Sequence, residues 1–130
     1  MKRVKNTPML FILALALLAS CASPKSPAAQ AVEDHLTALV ERDEVRLTVL
    51  TCADWVTDAL LEYDAFANVK PTLKDLDCQR TGSDGEAALV TCQGSIEANY
   101  GNEITSFDLG ERTYTVVSQG GEWLVCGYSR

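Results

Sequence analysis

Apolar residues follow three different patterns along the chain of 130 residues, and each pattern predicts a different kind of segment. An unbroken apolar run covers Met9 to Ala19. From about residue 32 to residue 67 apolar residues recur every three or four positions, and from residue 72 onward they alternate with polar residues between turns that contain glycine. Recurrence every three or four positions is typical of amphipathic helices, and alternation with polar residues is typical of strands. We therefore expect an apolar leader, then helices, then an antiparallel sheet.

The first helix is predicted to begin at Ser26 and Pro27, because serine caps helices well and proline suits the first turn. Its apolar face consists of Val32, Leu36, Leu39 and Val40. We expect this helix to end near Arg42. The chain's single histidine, His35, lies at the edge of the apolar face, where a lone histidine is more often a partly covered surface residue than a ligand or base.

Two further helices are predicted, each with an aspartate as its cap. Asp43 is expected to cap a short helix that ends near Leu50, and Asp54 to cap a third helix from Trp55 to about Ala67. The apolar side of the third helix comprises Trp55, Val56, Ala59, Leu60, Tyr63, Phe66 and Ala67, so much of this helix should be buried. Its acidic residues, Asp58, Glu62 and Asp64, are interpreted as a solvated face.

The remaining pattern predicts a four-stranded antiparallel meander. The strands cover residues 72–80, 86–100, 103–118 and 122–128. A turn at Gly120–Gly121 places Tyr114 and Val116 on the same face as Trp123 and Val125, and this face should meet the helices.

The third predicted strand changes phase. Its apolar residues are odd-numbered at Phe107 and Leu109 but even-numbered at Tyr114 and Val116. A strand changes phase only through an inserted residue, and Gly110 is the natural place for such a bulge. We therefore expect the sheet to bend there.

The start of the chain resembles the signal peptides of bacterial lipoproteins. Lys2, Arg3 and Lys5 precede an apolar run of about eleven residues, which is shorter than the roughly 20 that a membrane-spanning helix needs. The run ends in Leu18-Ala19-Ser20-Cys21, which is similar to a lipobox. The alternative is an ordinary signal peptide with a chance cysteine near its cleavage site.

This resemblance implies that residues 1–20 are removed and that Cys21 carries a diacylglycerol on its sulfur. Residues 21–30, rich in alanine, serine and proline, would form the lipidated end and a flexible tether, and residues 31–130 the folded domain. Two or three acyl chains anchor a protein stably without spanning the membrane. We therefore expect an exported protein of the bacterial cell envelope whose first partner is the membrane itself.

The net charge makes a nucleic-acid partner improbable. The chain has 11 basic and 18 acidic residues, and removal of residues 1–20 takes away three basic residues and no acidic one, which leaves a net charge of about −10. Binding to phosphates depends on lysine and arginine displacing counterions.

Four cysteines follow Cys21, and an even number in a small exported domain predicts two disulfides. A metal site is disfavoured because the chain has no CxxC pair and one histidine, and no cofactor motif is present. Neighbouring strands lie about 4.8 Å apart, so Cys126 on the last strand is too far from Cys78 and Cys92 on the first two. By elimination we predict Cys78 with Cys92 and Cys52 with Cys126.

Helices followed by a bent meander that ends in Gly-Glu-Trp-Leu-Val-Cys-Gly-Tyr (121–128) resemble the nuclear transport factor 2-like superfamily and its small exported branch. This resemblance implies a cone-shaped α+β fold, in which the break at Thr51–Ala53 takes the place of the usual first hairpin. Members include ketosteroid isomerases, dehydratases, epoxide hydrolases, polyketide cyclases and non-catalytic modules, so the fold does not settle the function.

Three functional hypotheses follow. The first is a non-catalytic module that binds a small apolar ligand or an envelope protein, and the second is an isomerase, dehydratase or cyclase that pairs Asp54 or Asp58 with Tyr63 or Tyr114. The third is a purely structural role. The aromatic residues available to line a cone are Trp55, Tyr63, Phe66, Tyr100, Phe107, Tyr114 and Trp123, although packing in the core is the more ordinary explanation for them.

Overall fold

Helices and strands follow in the predicted order within residues 24–130, which are the residues that the computed structural model describes. The helices are α1 (Pro27–Val40), α2 (Glu44–Val49) and α3 (Val56–Ala65). The strands are β1 (Lys70–Asp84), β2 (Ala87–Asn99), β3 (Ile104–Asp108), β4 (Thr113–Gln119) and β5 (Glu122–Ser129). Short 3-10 turns at Ala53–Trp55 and Leu109–Glu111 precede α3 and β4. The predicted signal peptide and Cys21 lie outside the described residues.

Helix α1 begins as predicted, inside the segment assigned to the tether. The Ser26 side chain accepts a hydrogen bond from the backbone N–H of Ala29, with Pro27 in the first turn. Lys25 already pairs with Glu33 and Asp77. Ordered structure therefore starts before residue 31. The helix ends at Val40 because Arg42 adopts a positive φ of 62°, which a helix does not accommodate.

The second cap was predicted correctly and the third was not. Asp43 accepts a hydrogen bond from the N–H of Arg46, at 3.0 Å. Asp54 caps nothing, since it lies within the 3-10 turn before α3. The cause is tertiary: the N–H of Cys52 bonds to the carbonyl of Val125 on β5, and the turn starts from that fixed point.

Helix α3 is more exposed than its apolar pattern predicted. Ala59 is its one fully buried residue, and Leu61 is 63% exposed. The helix packs mainly against α2 and the preceding turn and makes few contacts with the sheet. Val56, Leu60 and Tyr63 of its apolar face are therefore only half-buried.

The sheet has five strands instead of four, because the predicted third strand is divided at the position where its phase changes. β3 pairs with the second half of β2 and β4 with the first half, and the order of the remaining strands is β1-β2-β4-β5. Asp108 accepts a hydrogen bond from the N–H of Gly110 at 2.8 Å, which supports the turn between β3 and β4. Gly110 thus marks a full interruption, where the sequence predicted a bulge.

The face predicted to meet the helices does so. Val116 lies opposite Val125, and Tyr114 lies opposite Tyr128. Leu36 of α1 packs in the same core, and each of Leu36, Tyr114, Val116 and Val125 is at most 1% exposed. Within the described residues, no helix is long and apolar enough to cross a membrane.

Both predicted cysteine pairs lie at disulfide distance. Cys78 faces Cys92 directly across β1 and β2, with 4.0 Å between their Cα atoms. Cys52 and Cys126 have a Cα separation of 4.9 Å and join the connection between α2 and α3 to β5.

The two disulfides should differ in what they contribute to stability. Their cysteines are 74 residues apart in the Cys52–Cys126 pair and 14 in the Cys78–Cys92 pair. Closing the longer loop removes more entropy from the unfolded chain, so we expect replacement of each pair by alanines to cost about 4 and about 3 kcal/mol respectively. Urea unfolding of the two double variants measures this difference, and peptide mapping without reduction that found Cys78 linked to Cys126 would refute the pairing.

A second prediction concerns Gly94, which lies opposite a bulge in β1. An added Cβ there would come within 2.4 Å of the carbonyl oxygen of Lys74, and the φ of Gly94 is +98°. We expect Gly94→Ala to lower the free energy of unfolding by at least about 2 kcal/mol, through strain and backbone collision together. Gly101→Ala is the matched control, since its φ is +96° and nothing lies within 4 Å. Equal losses in the two variants would show that the collision contributes nothing.

Candidate binding site of the cone

The aromatic residues predicted as a possible pocket lining do not surround one pocket. Tyr114 is buried in the core, and Trp55 lies near it through Tyr128, which contacts both rings. The other five are distributed over separate parts of the domain.

Phe66 and Phe107 form an edge-to-face pair with ring centroids 6.0 Å apart. The Tyr63 ring is covered by the Arg42 guanidinium at 3.5 Å. Trp123 lines a groove together with residues of α1, and Tyr100 is 50% exposed. Most of these aromatic residues therefore serve in packing.

An arginine is the centre of the polar interior. Arg112 is 6% exposed, and its Nη1 lies 2.8 Å from Oε1 of Glu62 and donates to the Tyr114 hydroxyl at 3.1 Å. Its guanidinium also lies over the Tyr128 ring, 4.3 Å from the centroid. These contacts link α3, β4 and β5 through one charged group.

The sequence interpretation missed this group. Glu62 was assigned to a solvated face, yet its side chain is only 17% exposed in the ion pair with Arg112. The alternation of side chains along a strand would have predicted that Arg112 is buried. Residues two apart point to the same face, and Tyr114 and Val116 are the buried residues of β4.

The surroundings alter the acid–base properties of this cluster. Burial raises the pKa of Tyr114 to about 12, despite the opposing effect of Arg112. Burial alone would lower the pKa of Arg112, but interactions with Tyr114 and Glu62 hold it above its usual value. The tyrosine therefore remains a neutral hydroxyl and the arginine remains a cation.

His35 is buried, so the prediction of a partly covered surface residue was wrong. It is 1% exposed because the Trp55 ring stacks on it, with centroids 5.6 Å apart. Its Nδ1 lies 3.2 Å from the hydroxyl oxygen of Thr51, and that hydroxyl donates its one hydrogen to the carbonyl of Leu47. Nδ1 must therefore carry the hydrogen that the Thr51 oxygen accepts, which assigns the neutral tautomer. Burial first, and the charge of Arg112 second, lower the pKa of His35 to about 4.

The acid–base pairs considered for catalysis are not assembled. Asp54 and Asp58 are both exposed. The Tyr63 hydroxyl donates to the backbone carbonyl of Arg42 at 3.0 Å. Glu62 acts on Tyr114 through its charge, but Arg112 binds its carboxylate directly. Among residues 24–130, no three histidine, cysteine, aspartate or glutamate side chains are grouped so as to hold a metal ion.

Two open grooves flank the filled interior. The Trp123 groove has a volume of about 610 Å³ and is lined by Pro27, Gln30, Ala31, Asp34, Val49, Leu50, Glu122, Trp123 and Leu124. The Trp55 groove has a volume of about 500 Å³ and is lined by Trp55, Asp58, Leu61, Glu62 and Tyr128. The first groove is mainly apolar, and the second combines aromatic rings with carboxylates.

Comparison with solved structures identifies the fold. A ketosteroid isomerase-like protein from Shewanella frigidimarina NCIMB 400 superposes with a TM-score of 0.55 at 17% identity, over 80% of this chain and 95% of that one. The domain has the nuclear transport factor 2-like fold. No protein-family model and no curated protein matches the sequence. At this identity the likeness establishes the α+β cone and leaves the activity open.

The buried histidine generates a prediction about pH. Because the pKa of His35 falls from an ordinary 6.5 to about 4 on folding, the unfolded chain takes up the proton first as the pH falls. The contribution of His35 to the free energy of unfolding is therefore fully present above pH 6.5. It decreases by about 3 kcal/mol as the pH falls from 6.5 to 4. Urea unfolding across this range measures the loss. His35→Gln should flatten the profile in this window, and an unchanged slope in that variant would assign the pH dependence to other groups.

Proposed function

We propose that the mature protein is a lipoprotein of the bacterial cell envelope whose cone domain is a non-catalytic binding module. The observation that carries this proposal is the Trp123 groove, an apolar surface at the start of α1. Its occupant is an apolar ligand or an apolar segment of an envelope protein.

The exposed side chains around this groove support the proposal. Val49 is 62% exposed at its rim. Trp123 and Leu124 of β5 form the opposite wall and are partly exposed. Contiguous apolar surface of this kind is typical of interaction sites, since exposure to water is unfavourable unless a partner covers it.

The position of the groove agrees with an anchored protein. Pro27 lines it and is the first residue of α1. Six peptide steps separate Cys21 from Pro27, which spans at most about 20 Å. A lipid on Cys21 would therefore hold this groove close to the membrane surface.

The interior gives less support to catalysis. General acid–base chemistry needs a carboxylate that is free to exchange a proton next to the substrate. Glu62 is bound by Arg112, and the Tyr114 hydroxyl accepts a hydrogen bond from the same guanidinium. The interior side chains thus satisfy one another.

The lipid anchor can be tested through Cys21. We expect the exported wild-type protein to incorporate an alkyne analogue of palmitate and to sediment with membranes, and Cys21→Ser to do neither, because the acylated sulfur is missing. Ser23→Ala is the control and should behave as the wild type. Membrane retention of Cys21→Ser without label would contradict the lipoprotein assignment.

The groove can be tested with N-phenyl-1-naphthylamine, a neutral apolar probe that fluoresces when it leaves water. Val49→Asp places a charge at the rim and should weaken saturable binding by about tenfold, since burying one aliphatic side chain is worth about 1.5 kcal/mol. Val45→Asp is the matched control, because Val45 lies outside the groove lining. Equal effects of the two substitutions would place the binding elsewhere.

A further inference from the structure

We propose that the Trp55 groove binds a small organic ammonium ion. This site is separate from the Trp123 groove, so either proposal can fail without the other. Five residues form it: Trp55, Asp58, Leu61, Glu62 and Tyr128.

Two aromatic rings form perpendicular walls. The planes of Trp55 and Tyr128 meet at 83°, with centroids 5.8 Å apart. The negative face of an aromatic ring attracts a cation, and tryptophan attracts it most strongly. Perpendicular rings let one cation contact both, which is the arrangement that recognises alkylated ammonium groups.

Among residues 24–130, no lysine or arginine lies over the ring of Trp55. The residue stacked on it is His35, whose pKa of about 4 leaves it neutral at physiological pH. Tyr128 differs, because Arg112 already lies over it at 4.3 Å. Trp55 is therefore the principal cation-binding wall, and Tyr128 contributes mainly shape.

The remaining walls are acidic. Asp58 and Glu62 lie one helical turn apart on α3, and no lysine or arginine of the described part of the chain lines the groove. Arg112 balances the charge of Glu62 from inside the domain, so Asp58 supplies the uncompensated negative charge. The strongly acidic balance of the mature chain adds long-range attraction for cations.

The same walls select against metal ions. Calcium and magnesium require several oxygen ligands, whereas this groove offers two carboxylates beside apolar rings. Its volume of about 500 Å³ far exceeds that of a bare ion. A cation that carries its own apolar surface, such as a quaternary ammonium ion, satisfies both the rings and the charge.

The first experiment compares choline with 3,3-dimethylbutan-1-ol, its uncharged isostere, on the full exported protein in dodecyl maltoside. The indole N–H signal of Trp55 is followed by NMR and assigned with the Trp123→Phe variant. Choline should shift this signal saturably, and the alcohol should bind at least about fivefold more weakly. Equal shifts from both compounds, or no shift with choline at 50-fold molar excess or more, would overturn the proposal without requiring any variant of the groove.

A second arm tests the carboxylate. Asp58→Asn should weaken choline binding about three- to fivefold, the effect of one partly solvated charge. Asp64→Asn removes the same charge from an exposed position on the same helix outside the groove lining and should leave binding unchanged. If both substitutions weakened choline binding equally, the effect would come from the net charge of the protein, and a specific site at Asp58 would be contradicted.

A third arm identifies the source of the ammonium group. A free solute carries no phosphate, whereas a lipid head group does, and the phosphate would meet Asp58 and Glu62. Phosphocholine should therefore bind more weakly than choline. Binding at least as tight as that of choline would overturn the assignment to a free ammonium solute.

Discussion

The attachment of the segment Leu50–Cys52 to β5 is the constraint on which the rest of the domain depends. The N–H of Cys52 bonds to the carbonyl of Val125, the N–H of Val125 bonds to the carbonyl of Leu50, and both bonds measure 2.9 Å. The Cys52–Cys126 pair reinforces them covalently. A segment that was predicted as a break between helices thus behaves as a short parallel partner of the last strand.

This attachment decides what the helices cover. It starts the turn that carries Trp55 onto His35, and it holds Thr51 where its hydroxyl meets the imidazole. A histidine enclosed in this way loses its water, and the neutral ring is the form that tolerates such burial. Backbone pairing at one point therefore determines the protonation of a side chain on another element.

The Arg112 cluster shows how the cone interior is filled. Removing an arginine from water is costly, and an ion pair compensates for this only when its remaining polar atoms also find partners. Here one carboxylate, one hydroxyl and one aromatic face surround the guanidinium. In the described part of the chain, the polar centre of the cone is thus occupied by side chains that bind one another.

The sequence by itself determined the order of elements, the start of α1, the cap of α2, the face of β4 and β5 that meets the helices, and both cysteine pairs. These features are local, or follow from strand spacing, and so they depend on few contacts. Tertiary structure alone decided that Asp54 caps nothing, that His35 is buried, that Glu62 and Arg112 pair, and that the aromatic residues divide among separate places. All four features have the same physical reason, because each depends on which distant element packs beside the residue. Periodicity shows only which side of its own helix or strand a residue occupies. The resemblance of Leu18–Cys21 to a lipobox remains a prediction from the sequence, whereas the shape of the groove beside α1 was decided by the fold.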